Sequence, residues 1–101
     1  MVINWTNPAI QDLKNFQNIT KGVNANDYIS NLVITVDMLK EHPHLGKIYL
    51  YIKNSIIRQF IYKQHKIFYF IDNETIHIIA VIHYREDIAA RINFIKRNFR
   101  K

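Results

Sequence analysis

Residues 47–83 read KIYLYIKNSIIRQFIYKQHKIFYFIDNETIHIIAVIH. The stretch is dense in Ile, Tyr and Phe, side chains that suit a pleated, half-buried surface. Polar turn signals interrupt it at Lys53-Asn54-Ser55, Lys63-Gln64 and Asn73-Glu74. The spacing predicts strands over 56–62, 65–72 and 75–83, with an extra strand over 47–52. Connections this short cannot carry parallel crossovers, so the strands must form an antiparallel meander. The last run, TIHIIAVIH, is apolar on both parities, as expected of a central strand. With two-residue turns at Lys63-Gln64 and Asn73-Glu74, Arg58 falls opposite Tyr69, and Tyr69 opposite Ile78. That register puts Arg58, Tyr69, Ile78 and Tyr84 on one face and Lys66, Phe68, His77 and His83 on the other. A one-residue change in either loop would bring Arg58 and His83 together.

On the N-terminal side, residues 2–5 read as a short strand. Asn7 and Pro8 suit a helix start, and Ile10, Leu13, Phe16 and Ile19 follow at helical spacing. Gly22 and the Asn-rich residues 24–26 break the pattern, and Asn24 or Asn26 can cap a second helix carrying Ile29, Leu32, Val33, Val36 and Leu39. His42-Pro43 ends it, because the residue before proline is pushed out of the α region. On the C-terminal side, Ile88, Ile92, Ile95 and Phe99 recur at helical spacing. Acids stand at the start of this segment and bases toward its end, an order that suits the helix dipole. The expectation is an α+β fold in one domain over residues 1–101: an N-terminal strand, an α-hairpin, an antiparallel three- to four-stranded meander and a C-terminal helix, with the helices on one sheet face.

Composition narrows the function. The 101 residues are 49% hydrophobic and 22% charged, which argues against disorder. The absence of Cys excludes disulfide scaffolds, thiolate zinc sites and cysteine nucleophiles. Two Gly leave no room for a glycine-rich phosphate loop. No apolar run reaches the ~18–20 residues of a membrane span, and no basic segment followed by an apolar core marks a secretory signal. A soluble cytoplasmic protein with no cofactor and no metal is expected; His42 and His44 have no second ligand cluster nearby. Residues 1–50 carry four Lys against four acids, whereas residues 51–101 carry ten Lys and Arg against four. The whole net charge of +6 thus sits in the second half, which points to an acidic or polyanionic partner.

Several segments together resemble the RelE/ParE superfamily of type II toxins. They are the extended opening with Trp5-Thr6-Asn7-Pro8-Ala9, a helix pair ending in Pro43-His44-Leu45-Gly46, a strand bearing Arg58, the Lys66-Ile67-Phe68-Tyr69 strand, and an Ile-rich strand running into His83-Tyr84-Arg85-Glu86-Asp87. The resemblance covers nearly the whole chain. It implies a toxin neutralised by an antitoxin protein that also represses the operon, so that operator DNA is met only through the antitoxin. Its two branches imply different targets. ParE-like members inhibit DNA gyrase, and RelE-like members cut mRNA in the ribosomal A site.

For the nuclease, a proton shuttle and phosphate-binding cations are needed. Arg58, Lys66 and His83 are the catalytic candidates. Residues 42–71 contain no Asp or Glu, so a carboxylate base is missing from the first meander strands. The spacing from Lys66 to His83 and the long helix after Asp87 resemble the ParE branch more closely, although Glu86 replaces one of its two adjacent arginines. The expected function is therefore gyrase inhibition without bond cleavage. Ribosome-dependent mRNA cleavage is the rival, and a non-toxic protein- or nucleic-acid-binding module is the third reading. Target binding is expected of Arg58, Lys63, Tyr84 and Arg85, and antitoxin binding of Arg91, Lys96, Arg97 and Arg100. Tyr49, Tyr51, Tyr62 and Tyr69 are expected to sit in the core or in cross-strand pairs.

Overall fold

The computed structural model describes residues 1–19 and 23–98. The chain runs β1 (Val2–Trp5), α1 (Asn7–Ile19), α2 (Val23–Val36), a 3-10 turn (Asp37–Lys40), β2 (Lys47–Ile52), β3 (Ser55–Tyr62), β4 (His65–Asp72), β5 (Thr75–His83) and α3 (Ile88–Asn98). The strands form one sheet in the order β1-β5-β4-β3-β2. The meander β2 to β5 is antiparallel, and β1 returns parallel to the first half of β5, from Val2↔Thr75 to Trp5↔Ile78. The predicted α+β architecture is therefore observed, with the extra strand present.

Two details of the helix starts differ from expectation. The carbonyl of Thr6, one residue before Asn7, accepts the first helical bond from the Ile10 N–H, while the Thr6 hydroxyl donates to the Ile78 carbonyl at 2.7 Å. Helix α2 already includes Asn24 and Asn26, so neither is its cap. Gly22 and Phe99 lie outside the described residues.

The sheet separates two cores. Ile67, Tyr69, Ile76, Ile78 and Val81 pack with Ala9, Leu32, Val36 and Leu39 of the helical hairpin and the 3-10 turn. Phe68, Phe70, Ala80 and Ile82 pack with Ile57, Ile52 and Ile92, with Ile88 and Ile95 against them. Neighbouring residues of β4 thus point into different cores, as strand alternation requires. Helix α3 covers the face opposite α1 and α2, which corrects the expectation that all helices share one face.

The register holds its second correction. From Asp72↔Thr75 to Tyr69↔Ile78 the β4–β5 pairs follow the expected two-residue turn, and Arg58 does lie opposite Tyr69. Between Phe68↔Ala80 and Tyr69↔Ile78 the pairing slips by one residue. Ile79 is the extra residue of a β-bulge, and the bulge reverses the facing of everything beyond it. His83 now pairs with His65 and joins the hairpin face that also carries Arg58. Asn73 and Glu74 both take positive φ, 50° and 62°, as a primed two-residue hairpin turn demands.

Candidate functional site

Strand β5 outlives its neighbour: β1 ends opposite Ile78, and the backbone beyond would face outward unpaired. Asp12, on α1, closes this edge. Its Oδ2 accepts the Val81 N–H at 2.8 Å and a guanidinium N–H of Arg91 at 2.8 Å. Arg91 also donates to Glu86 Oε2 at 3.2 Å, and Glu86 Oε1 accepts the His83 N–H at 3.2 Å. One chain of charge-assisted bonds therefore runs from the β5 edge across α1 to the start of α3. Burial opposes the Arg91 charge, but the bonds and charges of Asp12 and Glu86 outweigh it and hold the guanidinium pKa above its ordinary value. Asp87 caps α3, its Oδ1 accepting the Ala90 N–H at 3.1 Å.

Beside this chain lies a cleft of about 430 Å³, lined by Phe16, Ile19, His65, His83, Glu86 and Arg91 among others. The bulge brings its two histidines together with ring centroids 5.1 Å apart. His65 is buried, with 4% exposure. Phe16 meets its ring edge-on, and Tyr28 Oη lies 2.9 Å from its Nδ1. Burial, helped by the neighbouring His83, pulls the His65 pKa from 6.5 to about 4, with Glu86 acting weakly in the other direction. His65 is a neutral structural group at physiological pH. His83 accepts the Arg85 N–H at Nδ1, 3.1 Å away, and its ring lies 4.6 Å from Tyr84. Its neutral ring therefore carries the proton on Nε2.

Arg58 occupies the other end of the same face. It donates to the Gly46 carbonyl at 2.8 Å and to the His44 carbonyl at 3.5 Å. Opposite it, Tyr69 donates its hydroxyl to the Pro43 carbonyl and accepts the Gly46 N–H, both at 2.9 Å. Burial raises the Tyr69 pKa, against the Gly46 N–H and the Arg58 charge. A Cβ on Gly46 would stand 2.7 Å from Tyr69 Cε1 and 2.9 Å from the Gln59 carbonyl oxygen. The glycine is required by this close approach, and Arg58 serves to hold the 43–46 turn.

The other expected site residues are scattered. Lys66 lies on β4 at the alternate parity, on the α3 face, opposite Ile82. Arg58, Lys66 and His83 are thus not brought to one point. Lys63, Tyr84 and Arg85 do come to one end of the sheet, because the Tyr84 N–H bonds the Gln64 carbonyl at 2.9 Å. Lys63 lies 5.5 Å from the Tyr62 ring, and Arg85 donates to the Tyr84 hydroxyl at 3.0 Å. Lys96 and Arg97 are exposed in the last turn of α3 and form no ion pair with a described residue. Arg91 is committed to Asp12 and Glu86, and Arg100 lies outside the described residues. Tyr69 is in the core as expected, and Tyr51, 67% exposed, stands in a cross-strand pair with Ile56.

Sequence reasoning missed Asp12, Glu86, His65 and Tyr28. Asp12 carried one signal: it precedes Phe16 by one helical turn and so borders the apolar stripe. Among the described residues, no cluster of three or more His, Asp or Glu is arranged to hold a metal, and no helix is long and apolar enough to cross a membrane.

Comparison with curated proteins finds no match. A family model, described as the ParE toxin of the type II toxin-antitoxin system parDE, matches residues 3–88. The match spans all but the first residue of β1, both hairpin helices and the entire meander, so the chain belongs to the ParE toxin family, the toxins of type II modules whose partner is an antitoxin.

Proposed function

We propose that this toxin arrests growth by docking on DNA gyrase and inhibiting it without cutting a bond itself, and that a cognate antitoxin neutralises it in the cytoplasm. The observation that carries the reading is the separation of the nuclease candidates. Cleavage at a ribose 2′-OH needs a base, an acid and cations around one phosphate. Here Arg58 is engaged by the Gly46 carbonyl, Lys66 is on the opposite face, and His83 sits in the cleft beside Glu86. A docking inhibitor needs no such convergence. It needs exposed groups in fixed positions, and Lys63, Tyr84 and Arg85 at one end of the sheet meet that need. Lys96 and Arg97 extend the basic surface offered to an acidic antitoxin segment.

Purified protein added to a gyrase supercoiling reaction and to ribosomes translating a defined mRNA tests the proposal. The expected outcome is loss of supercoiling with intact mRNA, reversed by the antitoxin. Cut mRNA with undisturbed supercoiling would replace the proposal with the ribonuclease reading.

A further inference from the structure

We propose that the cleft beside α1, the end of β5 and the start of α3 binds a small uncharged aromatic carboxamide, its carbonyl oxygen on the imidazole N–H groups of His65 and His83 and its amide N–H on Asp12. The ligand is one of the toxin itself, and the contact with the toxin's target is not involved. The cleft, about 430 Å³, has the size of a small-molecule site, and rings line it. Phe16 and His65 stand with ring centroids 4.8 Å apart at 85°, and His65 and His83 5.1 Å apart at 81°. Val81 and Ile19, the latter 82% exposed, add to the apolar lining. Such walls favour a flat aromatic body, because rings gain from edge and face contacts beyond the area they bury.

The polar groups define the rest of the ligand. Tyr28 Oη lies 3.4 Å from the Tyr62 carbonyl but 2.9 Å from His65 Nδ1. The shorter contact takes the hydroxyl proton, so the neutral His65 ring carries its own proton on Nε2, as His83 does. Among the described residues no acceptor reaches either Nε2–H, although His65 is almost fully buried. An N–H this far from bulk water is costly to leave without an acceptor, and two beside one cleft call for an acceptor there. Asp12 offers the reverse. Its Oδ2 takes both the Val81 and the Arg91 bonds, and its Oδ1 takes none.

Charge narrows the class further. With both rings neutral, the cleft sets the carboxylates of Asp12 and Glu86 against the guanidinium of Arg91. The negative surplus repels an anion. A cation would suit the carboxylates but would give the two imidazole N–H groups no acceptor. A carboxamide is uncharged and holds an acceptor and a donor side by side, so it serves both sets of groups at once. A glutamine side chain carries the same amide, but without the ring that the aromatic walls would hold.

The test titrates the full chain, isotope-labelled and at neutral pH, with benzamide. Benzoate, benzamidine and toluene keep the ring and change the charge or remove the amide, and N-acetylglutamine methylamide keeps a carboxamide without the ring. The expected result is saturable benzamide shifts at the amides of Asp12, Phe16 and Val81 and at the imidazole nitrogens of His65 and His83, with binding about 10-fold tighter than for any of the other compounds. His83→Phe keeps a ring and removes one N–H; it should weaken benzamide about 5-fold and change toluene by less than about 2-fold. Should that variant fail to fold, the imidazole nitrogen shifts of the wild type decide alone. Absence of benzamide binding, benzoate or benzamidine binding as tightly, the glutamine amide binding as tightly, silent imidazole nitrogens, or an unchanged benzamide affinity in folded His83→Phe would each overturn the proposal.

Discussion

The two ends of the hairpin-covered face solve the same problem in opposite ways. At the β5 end, a strand that outruns its neighbour is closed from within: Asp12 takes the Val81 N–H, Arg91 and Glu86 complete the chain, and His65 is buried against Phe16 and Tyr28. At the β2 end, the edge and its apolar side chains are left open between two lysines. Charge count does not separate the two ends, but commitment does. Arg58 and Arg91 look like binding residues in the sequence, yet both are occupied by the protein's own carbonyls and carboxylates. Besides Arg58, the cations Lys14, Lys47, Lys53, Lys63, Lys66, Arg85, Lys96 and Arg97 form no ion pair among the described residues.

Substitutions that enter the closed regions should cost most. Gly46→Ala should lose about 3 kcal/mol in urea unfolding, because its Cβ meets the rigid Tyr69 ring and a backbone carbonyl. Unchanged stability would remove the close approach from the account. Acid comes next. The His65 imidazole protonates near its ordinary 6.5 when unfolded but only near 4 in the fold. The fold therefore keeps its full stability above pH 6.5 and loses it as pH falls toward 4, by about 2 kcal/mol at pH 5. His65→Asn should flatten that part of the stability–pH curve, and an unaltered slope would count against a buried neutral histidine. Asp12→Ala should cost about 1.5 kcal/mol by baring the Val81 N–H and half of the Arg91 pairing, with faster amide exchange at Val81. At the open end, Tyr51→Ser or Lys47→Glu should change stability by less than about 0.5 kcal/mol. A large loss there would mean that the edge is part of the fold's own support.

The legible part of this fold was the part written in turns. Lys63-Gln64 and Asn73-Glu74 set the pairing of Arg58 with Tyr69 and of Tyr69 with Ile78, because a two-residue connection leaves no choice of register. The bulge at Ile79 was hidden because IIAVI is apolar at every position, so an inserted residue disturbs no pattern. That single residue moved His83 across the sheet and created its contact with His65. The face taken by α3 was hidden for a related reason: β4 offers Ile67 and Tyr69 on one side and Phe68 and Phe70 on the other, and an Ile stripe fits either. The Asp12 contacts join residues 69 and 79 positions apart, a distance at which local spacing carries no information. Arg58 stood out in an apolar strand because an arginine there must find an acceptor, but the sequence did not reveal that the acceptors are the Gly46 and His44 carbonyls.

The most direct test of the toxin's mode of action is growth after induction of the wild-type chain and of His83→Ala, each confirmed as folded. Docking without bond cleavage predicts equal arrest by both. Arrest by the wild type with normal growth of the variant, accompanied by cleaved mRNA in the wild-type culture, would contradict it.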